Sequence, residues 1–527
     1  MKKYLQQVKA DIDLPLIKKS ILFSLIFGFI VHGANYFSPT YCHDSLLYHY
    51  QDTDVFWKIS LGRFMQALTI PLRGYDNIPL ITGGLSLIYI GLSSYIIAKT
   101  LDIKNRVSIY CISAIIITSI SFISVNLVCF HELDAFMLAL LFASIGGYIF
   151  NTFRLGYIVA ALPIALCCGL YQPYVGSVIM LFMILIVKDI LIGENQNDII
   201  SKSVKVIVSL ILAGLIYFIL YKTVALVFNV TFTQSYNSIE GVFDFDFNSI
   251  CATLFATYWN VIKFYLFPYA GNLYISSFIT TTLIAIYMLT LGVKIIKNQK
   301  VSAISLLILT IIIGLFPLAI NIATFISSGF FNEAMLFPII FIYVLFLMLI
   351  ELTDVKRRFM YLAHLLLFVI IFNGATFINR VYIDQSIWDK NSHAIAYDLY
   401  KGITVTPEFI DNNNIPILVS GQNTNLQLYG NKYMDTTFFL GQGILFLQFS
   451  YKLFPLGSFH SHLLNAYFNK NFKTNFNFVK QDINRDFTLD DELNSMPVYP
   501  ADGYMKCVRD TIFIKFPTEP QNFGANK

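Results

Sequence analysis

Ionisable residues stand beside the long apolar segments of this sequence. His43 and Asp44 follow the first apolar run, and His131, Glu132 and Asp134 lie just before another. A carboxylate where an apolar run ends is costly to dehydrate, which makes it a functional hypothesis by default if the run crosses a membrane. Asp44, Glu132 and Asp134 are therefore the candidate catalytic groups. Asp44, flanked by a histidine, is the first choice for a general base that takes a proton from an attacking hydroxyl.

Each carboxylate also has a purely structural interpretation. Glu132 or Asp134 would cap the helix that follows, because the N-terminal end of a helix dipole favours negative charge. Asp52 and Asp54 are most simply read as loop acids in contact with water. His131 and Glu132 do not form a zinc motif, since no second histidine follows at helical spacing. The sequence predicts no metal site.

Basic and polar side chains near the same segment ends are candidates for substrate binding. Arg63 and Arg73 offer a bidentate guanidinium and Lys263 offers a point charge, and each would suit a lipid phosphate. The competing interpretation is ordinary contact with anionic headgroups. Tyr171 and Gln172 would hydrogen-bond a sugar, although the proline that follows them could simply begin a helix.

The composition is that of a membrane protein. Of 527 residues, 56% are hydrophobic and 13% are charged, which is too little charge to cover a soluble surface. The net charge of +4 is too small to imply a nucleic-acid partner, and no block of like charges supports one. Apolar segments recur up to residue 379, each close to the roughly 20 residues that cross a bilayer as a helix. We expect about eleven such helices, near 18–38, 79–99, 107–129, 135–150, 155–170, 173–192, 206–228, 275–296, 301–326, 335–352 and 359–379.

Basic residues accumulate in alternate loops. By the positive-inside rule these loops are cytoplasmic. An odd number of helices with a cytoplasmic N-terminus then places everything after residue 380 on the outer side. The loops in question carry Lys99, Lys104 and Arg106, then Arg154, then Lys188, Lys202 and Lys205, then Lys294, Lys297 and Lys300, and finally Lys356, Arg357 and Arg358.

The composition changes after the last apolar run, which separates a transmembrane domain, 1–379, from a C-terminal domain, 380–527. The second part is mixed polar and has no segment that could span a membrane. The β-branched and aromatic stretches 415–419 and 511–516 predict strands, and the segment around 443–454 could be helical. The sequence therefore predicts a small α+β domain on the outer side of the membrane.

Two predicted outer loops, 39–78 and 229–274, are too long to be turns. Each contains apolar residues at helical spacing, which is typical of helices that lie along the membrane interface. Such helices either brace the bundle or form the walls of a groove where a lipid-linked substrate meets water.

One disulfide, Cys42–Cys507, is conceivable in these outer parts of the chain, but spacing cannot fix a pairing.

Several short motifs resemble the bacterial and phage glucosyltransferase type II family, whose members modify the O-antigen of lipopolysaccharide and change serotype. The resemblance extends from about residue 20 to residue 516. The motifs are His43-Asp44-Ser45, Trp57-Lys58-Ile59-Ser60-Leu61-Gly62-Arg63-Phe64 with Pro79, Gly169-Leu170-Tyr171-Gln172, and Met496-Pro497-Val498-Tyr499-Pro500 with Gly503.

The resemblance implies an inverting GT-C-type glycosyltransferase of the bacterial inner membrane, with a cytoplasmic N-terminus and a periplasmic C-terminal domain. Such an enzyme takes a sugar, usually glucose, from an undecaprenyl-phosphate donor and attaches it to lipid-linked O-antigen at the periplasmic face. The matching positions make Asp44 the base, Glu132 or Asp134 the group that orients the acceptor or the base, and Arg63 with Lys263 the phosphate ligands. The further substrate-binding candidates are His43, Arg73, His131, Tyr171 and Gln172.

The expected partners are the donor, the acceptor, membrane lipids and the flippase that delivers the donor. No cofactor is expected. The sequence has no nucleotide fingerprint or glycine-rich phosphate loop, which agrees with a donor carried on a lipid. The alternatives are a flippase or transporter of lipid-linked sugars, another GT-C branch, and an O-antigen polymerase or ligase.

Overall fold

The computed structural model describes most of the chain, and for a few residues within its helices and strands, Asp44 among them, it describes the backbone alone. The chain divides into two units: Met1–Pro39 with Tyr50–Asn379, and Thr40–His49 with Arg380–Lys527. The residues described are 12–39, 44–48, 54–231, 247–269, 273–299, 301–327, 329, 331–353, 356–420, 458–479 and 495–516.

Helices build nearly the whole of the first unit. They are α1 Leu14–Phe37, α2 Asp44–Leu47 (of the second unit), α3 Val55–Ser60, α4 Gln66–Leu72, α5 Pro79–Thr100, α6 Arg106–Ile117, α7 Ile120–Val128, α8 Leu133–Thr152, α9 Gly156–Val159, α10 Ala161–Leu170, α11 Val175–Ile192, α12 Gln196–Phe228, α13 Phe247–Leu266, α14 Tyr274–Gln299, α15 Ala303–Ile320, α16 Ile322–Ile326, α17 Ile340–Leu352 and α18 Arg357–Val405. Short 3-10 turns precede α8, α11 and α17 at Phe130–Glu132, Gln172–Tyr174 and Glu333–Ile339.

Within the residues that the structure describes, nine helices are long and apolar enough to cross a membrane. A tenth span results if α6 and α7, which meet at a bend of 44°, count as one. The predicted helix near 155–170 is the shorter apolar helix Gly156–Leu170. The chain is thus a polytopic helical membrane protein, and the expected number of eleven is reached only if this shorter helix also crosses.

Small residues allow the helices of the bundle to pack closely. A Cβ at Gly91 of α5 would lie 2.7 Å from the Cα of Ile21 on α1. Beside this contact the Ser20 hydroxyl donates to the Gly91 carbonyl at 2.8 Å, and Ser24 donates to Leu87 at 2.8 Å. Close backbone approach with serine hydrogen bonds is typical of helix pairs in membranes. It fixes the position of α5, which carries part of the site described below.

The first long loop differs from its predicted form. One continuous apolar helix face was expected from Trp57 to Leu68, but the helix ends at Ser60 and restarts at Gln66. Gly62 lies in the intervening turn with φ +79°, a conformation that favours glycine. The turn breaks the face, so that Phe64 is buried while Leu68 is 61% exposed. In the second loop, α13 is a single helix, as predicted.

The second unit contains a four-stranded sheet in the order β2-β1-β4-β3. Strand β1 pairs in parallel with β2 and with β4, and β3 pairs antiparallel with β4. The two strands predicted from the sequence are β1 and β4, whereas the predicted helical segment 443–454 lies outside the described residues. The elements are β1 Pro416–Ser420, β2 Asn477–Phe478, β3 Met505–Val508 and β4 Thr511–Lys515, with helices α19 Pro407–Asp411 and α20 Ser458–Phe472.

An apolar core joins the helices of the second unit to one face of its sheet. Ile417, Ile512 and Ile514 of the sheet pack against Phe468 of α20. The last turns of α18, which follow residue 379, contribute further buried side chains to this core. Leu46 of the short helix α2 also packs here, which explains why residues 40–49 belong to this unit.

Candidate active site

Close packing joins the turn between α3 and α4 to the end of α10. The Met65 amide donates to the Gly169 carbonyl at 2.9 Å, and the Gln66 side chain donates to the Leu170 carbonyl at 2.9 Å. A Cβ at Gly169 would lie 2.6 Å from the Phe64 ring, so only glycine fits without a shift. This packing places Lys58 and Arg63 beside the start of α8.

Lys58, Arg63 and Glu132 form a buried ion cluster. The Lys58 ammonium donates to Oε1 of Glu132, and Nη1 of Arg63 donates to Oε2 at 3.0 Å. His131 lies beside them, with its Nε2 3.8 Å from Oε1. Lys58 is 1% exposed and Glu132 is 3% exposed. With two cations against one carboxylate, the three side chains carry one net positive charge.

Arg73 and Asp134 form a second buried pair, and this pair is neutral. Nη1 of Arg73 lies 3.2 Å from Oδ1 of Asp134, and each side chain is 7% exposed. Arg73 also donates through Nη1 to the Thr82 hydroxyl at 3.2 Å and through Nη2 to the His131 carbonyl at 2.9 Å. Arg73 therefore fixes the chain segment that carries both acids.

The structure does not support the capping interpretation of these acids. Glu132 occupies the N-cap position of α8, but its side chain makes no capping hydrogen bond. Asp134 lies in the first turn of α8 and pairs with Arg73. The helix dipole still favours the negative charge there, but ion pairs to a different loop are what hold both carboxylates.

A cavity of about 330 Å³ opens beside the Arg73–Asp134 pair. One part of its wall is polar and the other part is aliphatic. Its lining comes from α4, α5, the loop between them and α8: Thr69, Leu72, Arg73, Asp76, Ile78, Ile81, Thr82, Leu85, Tyr89, Asp134, Ala135 and Leu138.

Tyr171 and Gln172 support the cluster from its other side. The Tyr171 ring stacks on Phe136 with 3.9 Å between centroids, and the Arg63 guanidinium lies 5.0 Å from its centre. Gln172 donates to the Leu61 carbonyl at 2.6 Å and to the Tyr217 hydroxyl at 3.2 Å. The Gln172 amide nitrogen is therefore used within the fold, and Tyr171 orients Arg63.

The predicted base and its neighbours fall partly outside the described residues. Cys42, His43 and Asp52 lie outside them, and Cys507 is a free cysteine in the structure, which does not support a Cys42–Cys507 disulfide. Asp44 begins α2 in the second unit, with only its backbone described. Asp54 is exposed and accepts a hydrogen bond from the Trp57 amide at 3.2 Å, which makes it the N-cap of α3.

Lys263 belongs neither to the Lys58–Arg63–Glu132 cluster nor to the Arg73–Asp134 pair. It lies on α13 with its ammonium 5.6 Å from the centre of the Phe264 ring. Partial burial lowers the pKa of Lys263, and the negative charge of Glu333 opposes that shift. Glu333 is 3% exposed, and its Oε1 accepts no hydrogen bond from any residue described.

The sequence-based reasoning gave no role to Lys58 and did not single out Glu333. Glu333 stands directly before an apolar run, as Glu132 does, so the same signal could have found it. Lys58 lies in a segment interpreted as an interfacial helix, where a lysine is expected to reach water. In the part of the chain that the structure describes, no group of His, Cys, Asp and Glu could hold a metal ion.

Helices that are long and apolar enough to cross a membrane, with ion pairs buried between their ends, define a polytopic membrane protein with a buried polar site. The sequence model of one family, described as Glucosyl transferase GtrII, matches residues 33–350 of this chain. That range is more than half of the 527 residues, and the chain belongs to this family. No curated protein sequence and no solved structure gives a significant match. The resemblance to glucosyltransferases is therefore confirmed, and both ion pairs and the cavity lie within the matched range.

Proposed function

We propose that this protein transfers glucose from an undecaprenyl-phosphate donor to lipid-linked O-antigen, by a GT-C-type mechanism at the periplasmic face of the bacterial inner membrane. The observation that carries the proposal is the Lys58–Arg63–Glu132 cluster, which lies inside the family-matched range. A buried group with net positive charge at the end of a helical bundle favours a phosphate whose lipid chain stays in the membrane.

Arg63 is the side chain of this cluster that suits the donor phosphate. Its side chain is 19% exposed, whereas that of Lys58 is 2% exposed and in contact with Glu132. The planar guanidinium can bind two phosphate oxygens at once, and stacking near Tyr171 holds its plane. Lys58 and Arg63 share the single carboxylate of Glu132, so the three side chains together favour an anionic group of the donor beside Arg63.

The proposed reaction inverts the anomeric carbon of the sugar. Asp44 takes the proton of an acceptor hydroxyl as the hydroxyl oxygen attacks the anomeric carbon from the side opposite to the phosphate. The bond from that carbon to the phosphate oxygen breaks, and undecaprenyl phosphate leaves as the anion bound by Arg63. Glu132 holds Arg63, and Asp134 holds Arg73, which in turn fixes the backbone of His131.

Replacing Arg63 with alanine tests the phosphate assignment. The variant keeps the Lys58–Glu132 pair balanced, so we expect it to fold. Loss of a charged hydrogen bond should raise the KM for the donor by about tenfold or more. The measurement is glucose transfer by the purified protein at varied undecaprenyl-phosphate-glucose. Arg154→Ala, an exposed arginine at the other end of the bundle, is the matched control. An unchanged donor KM in Arg63→Ala would remove Arg63 from phosphate binding.

The same assay distinguishes a transferase from a flippase. A transferase breaks the sugar–phosphate bond and labels the acceptor. A flippase moves the donor across a vesicle membrane and leaves that bond intact. If purified protein with donor and acceptor forms no labelled glycan, the proposed transfer reaction is wrong.

A further inference from the structure

The lining of the cavity beside Arg73 contains more carboxylates than the Lys58–Arg63–Glu132 cluster. Arg73, Asp76 and Asp134 all line it, which gives one cation and two carboxylates. The short segment from His131 to Asp134 separates the two places, with Glu132 facing the cluster and Asp134 paired to Arg73. Because carboxylates repel phosphate, the cavity is unsuited to the anionic part of a donor.

The cavity has both apolar and hydrogen-bonding walls. Ile81, Thr82, Leu85 and Tyr89 occupy one face of α5, and Asp134, Ala135 and Leu138 occupy one face of α8. Aliphatic side chains next to hydroxyls, carboxylates and a guanidinium are what a sugar ring requires. Its C–H groups pack on apolar surface while its hydroxyls donate to carboxylates and accept from arginine.

Arg73 has hydrogen-bonding capacity that the fold leaves unused. Its side chain is 7% exposed, and its Nε is buried without a hydrogen-bond acceptor among the residues described. Buried donors are normally satisfied, so a partner from a ligand is expected at such a position. A ligand hydroxyl oxygen would meet this requirement without adding a second negative charge beside Asp134.

The mouth of the cavity suits a lipid-linked molecule. Leu72 is 86% exposed and Ile81 is 49% exposed, so aliphatic surface borders the opening. Asp76, at the loop between α4 and α5, is exposed as well. Apolar and charged groups at one opening match a substrate with a lipid anchor and a polar glycan.

From these observations we infer that this cavity binds a neutral pyranose unit of the acceptor glycan, and that Arg73 and Asp134 hydrogen-bond its hydroxyls. The inference rests on the proposed function and specifies the acceptor part of the same site. It also reassigns Arg73, which the sequence placed with the phosphate ligands, to sugar binding.

Filling the cavity tests the inference. Leu85→Trp adds volume to the cavity wall without changing any charge. We expect the KM for lipid-linked O-antigen, extracted from otherwise identical cells that lack this protein, to rise about tenfold or more, because the indole would occupy volume that the sugar ring needs. The KM for undecaprenyl-phosphate-glucose and inhibition by undecaprenyl phosphate should each stay within about twofold of wild type. Leu80→Trp, on the exposed side of α5 and outside the cavity lining, should behave as wild type.

Tyr89→Phe is a second variant that removes one lining hydroxyl at nearly constant volume. It should raise the acceptor KM alone, by roughly threefold to tenfold. If Leu85→Trp does not fold, this variant tests whether the cavity binds the acceptor sugar. If either folded variant binds the donor or undecaprenyl phosphate more weakly than wild type, the cavity holds the phosphate lipid and the inference is wrong. An unchanged acceptor KM in the folded variants would overturn it equally. If wild-type protein transfers no glucose at all, the proposed function itself has failed.

Discussion

Asp44→Asn should reduce glucose transfer by about 10²–10⁴-fold, which is the usual contribution of a general base. The asparagine keeps the shape of the side chain and removes its ability to accept a proton at neutral pH. Asp44 is the first residue of a four-residue helix in the second unit, and asparagine has nearly the same size, so the fold should persist. The measurement is the rate of transfer at saturating donor and acceptor, with protein yield and thermal stability recorded alongside.

Asp54→Asn is the matched control for that variant. Asp54 lies in the same long loop, is exposed and caps α3 through its carboxylate, and asparagine can make the same cap. We expect the control to retain wild-type transfer. If the Asp44 variant also transfers glucose at the wild-type rate, Asp44 is not the general base and the proposed proton transfer is wrong.

The second large effect is expected from Glu132→Gln. Removing this carboxylate takes away the negative charge that Lys58 and Arg63 share, beside a Lys58 side chain that is 2% exposed. Breaking a buried ion pair in this way typically costs about 3–5 kcal/mol of folding free energy. Lys58→Met should be much milder, because Arg63 and Glu132 then remain as a balanced pair.

Thermal unfolding in detergent of the single and double variants measures this coupling. Glu132→Gln should lower Tm much more than Lys58→Met. The Lys58→Met, Glu132→Gln double variant should regain part of the loss, because it has one cation fewer beside the removed carboxylate. Equal Tm values for Glu132→Gln and wild type would show that the carboxylate does not hold the two cations. A double variant less stable than Glu132→Gln would contradict the charge argument.

The membrane helices were predictable because the signal for a span is local. A run of about 20 apolar residues can be recognised whatever it packs against. In the described part of the chain, nine of the eleven predicted spans coincide with helices long and apolar enough to cross a membrane, whereas 107–129 is bent and 155–170 is shorter. The broken helix at Gly62 was not predictable in this way. Apolar residues at helical spacing continue through the turn, and only contacts of the turn with Tyr217 and Gln172 require a glycine there.

The ion pairs could be predicted only as separate residues. The sequence identified Arg63, Arg73, Glu132 and Asp134 as candidates, but gave them separate roles as phosphate ligands and acids. Lys58 and Arg63 are 74 and 69 positions from Glu132, so the pairing depends on how α3 and the turn after it pack on α10 and beside the start of α8. The division into a positive cluster and an acidic cavity follows from that packing, and no local pattern contains it.

The most direct test of the central claim is the structure of the O-antigen made by cells with and without this protein, determined by mass and linkage analysis. The account predicts one additional glucose on the modified repeat units when the protein is present, attached through a single new linkage. Loss of that glucose in cells that carry the Asp44→Asn protein at normal levels would connect the product to the proposed site. Identical O-antigen from both kinds of cell, with the wild-type protein present in the membrane, would contradict it.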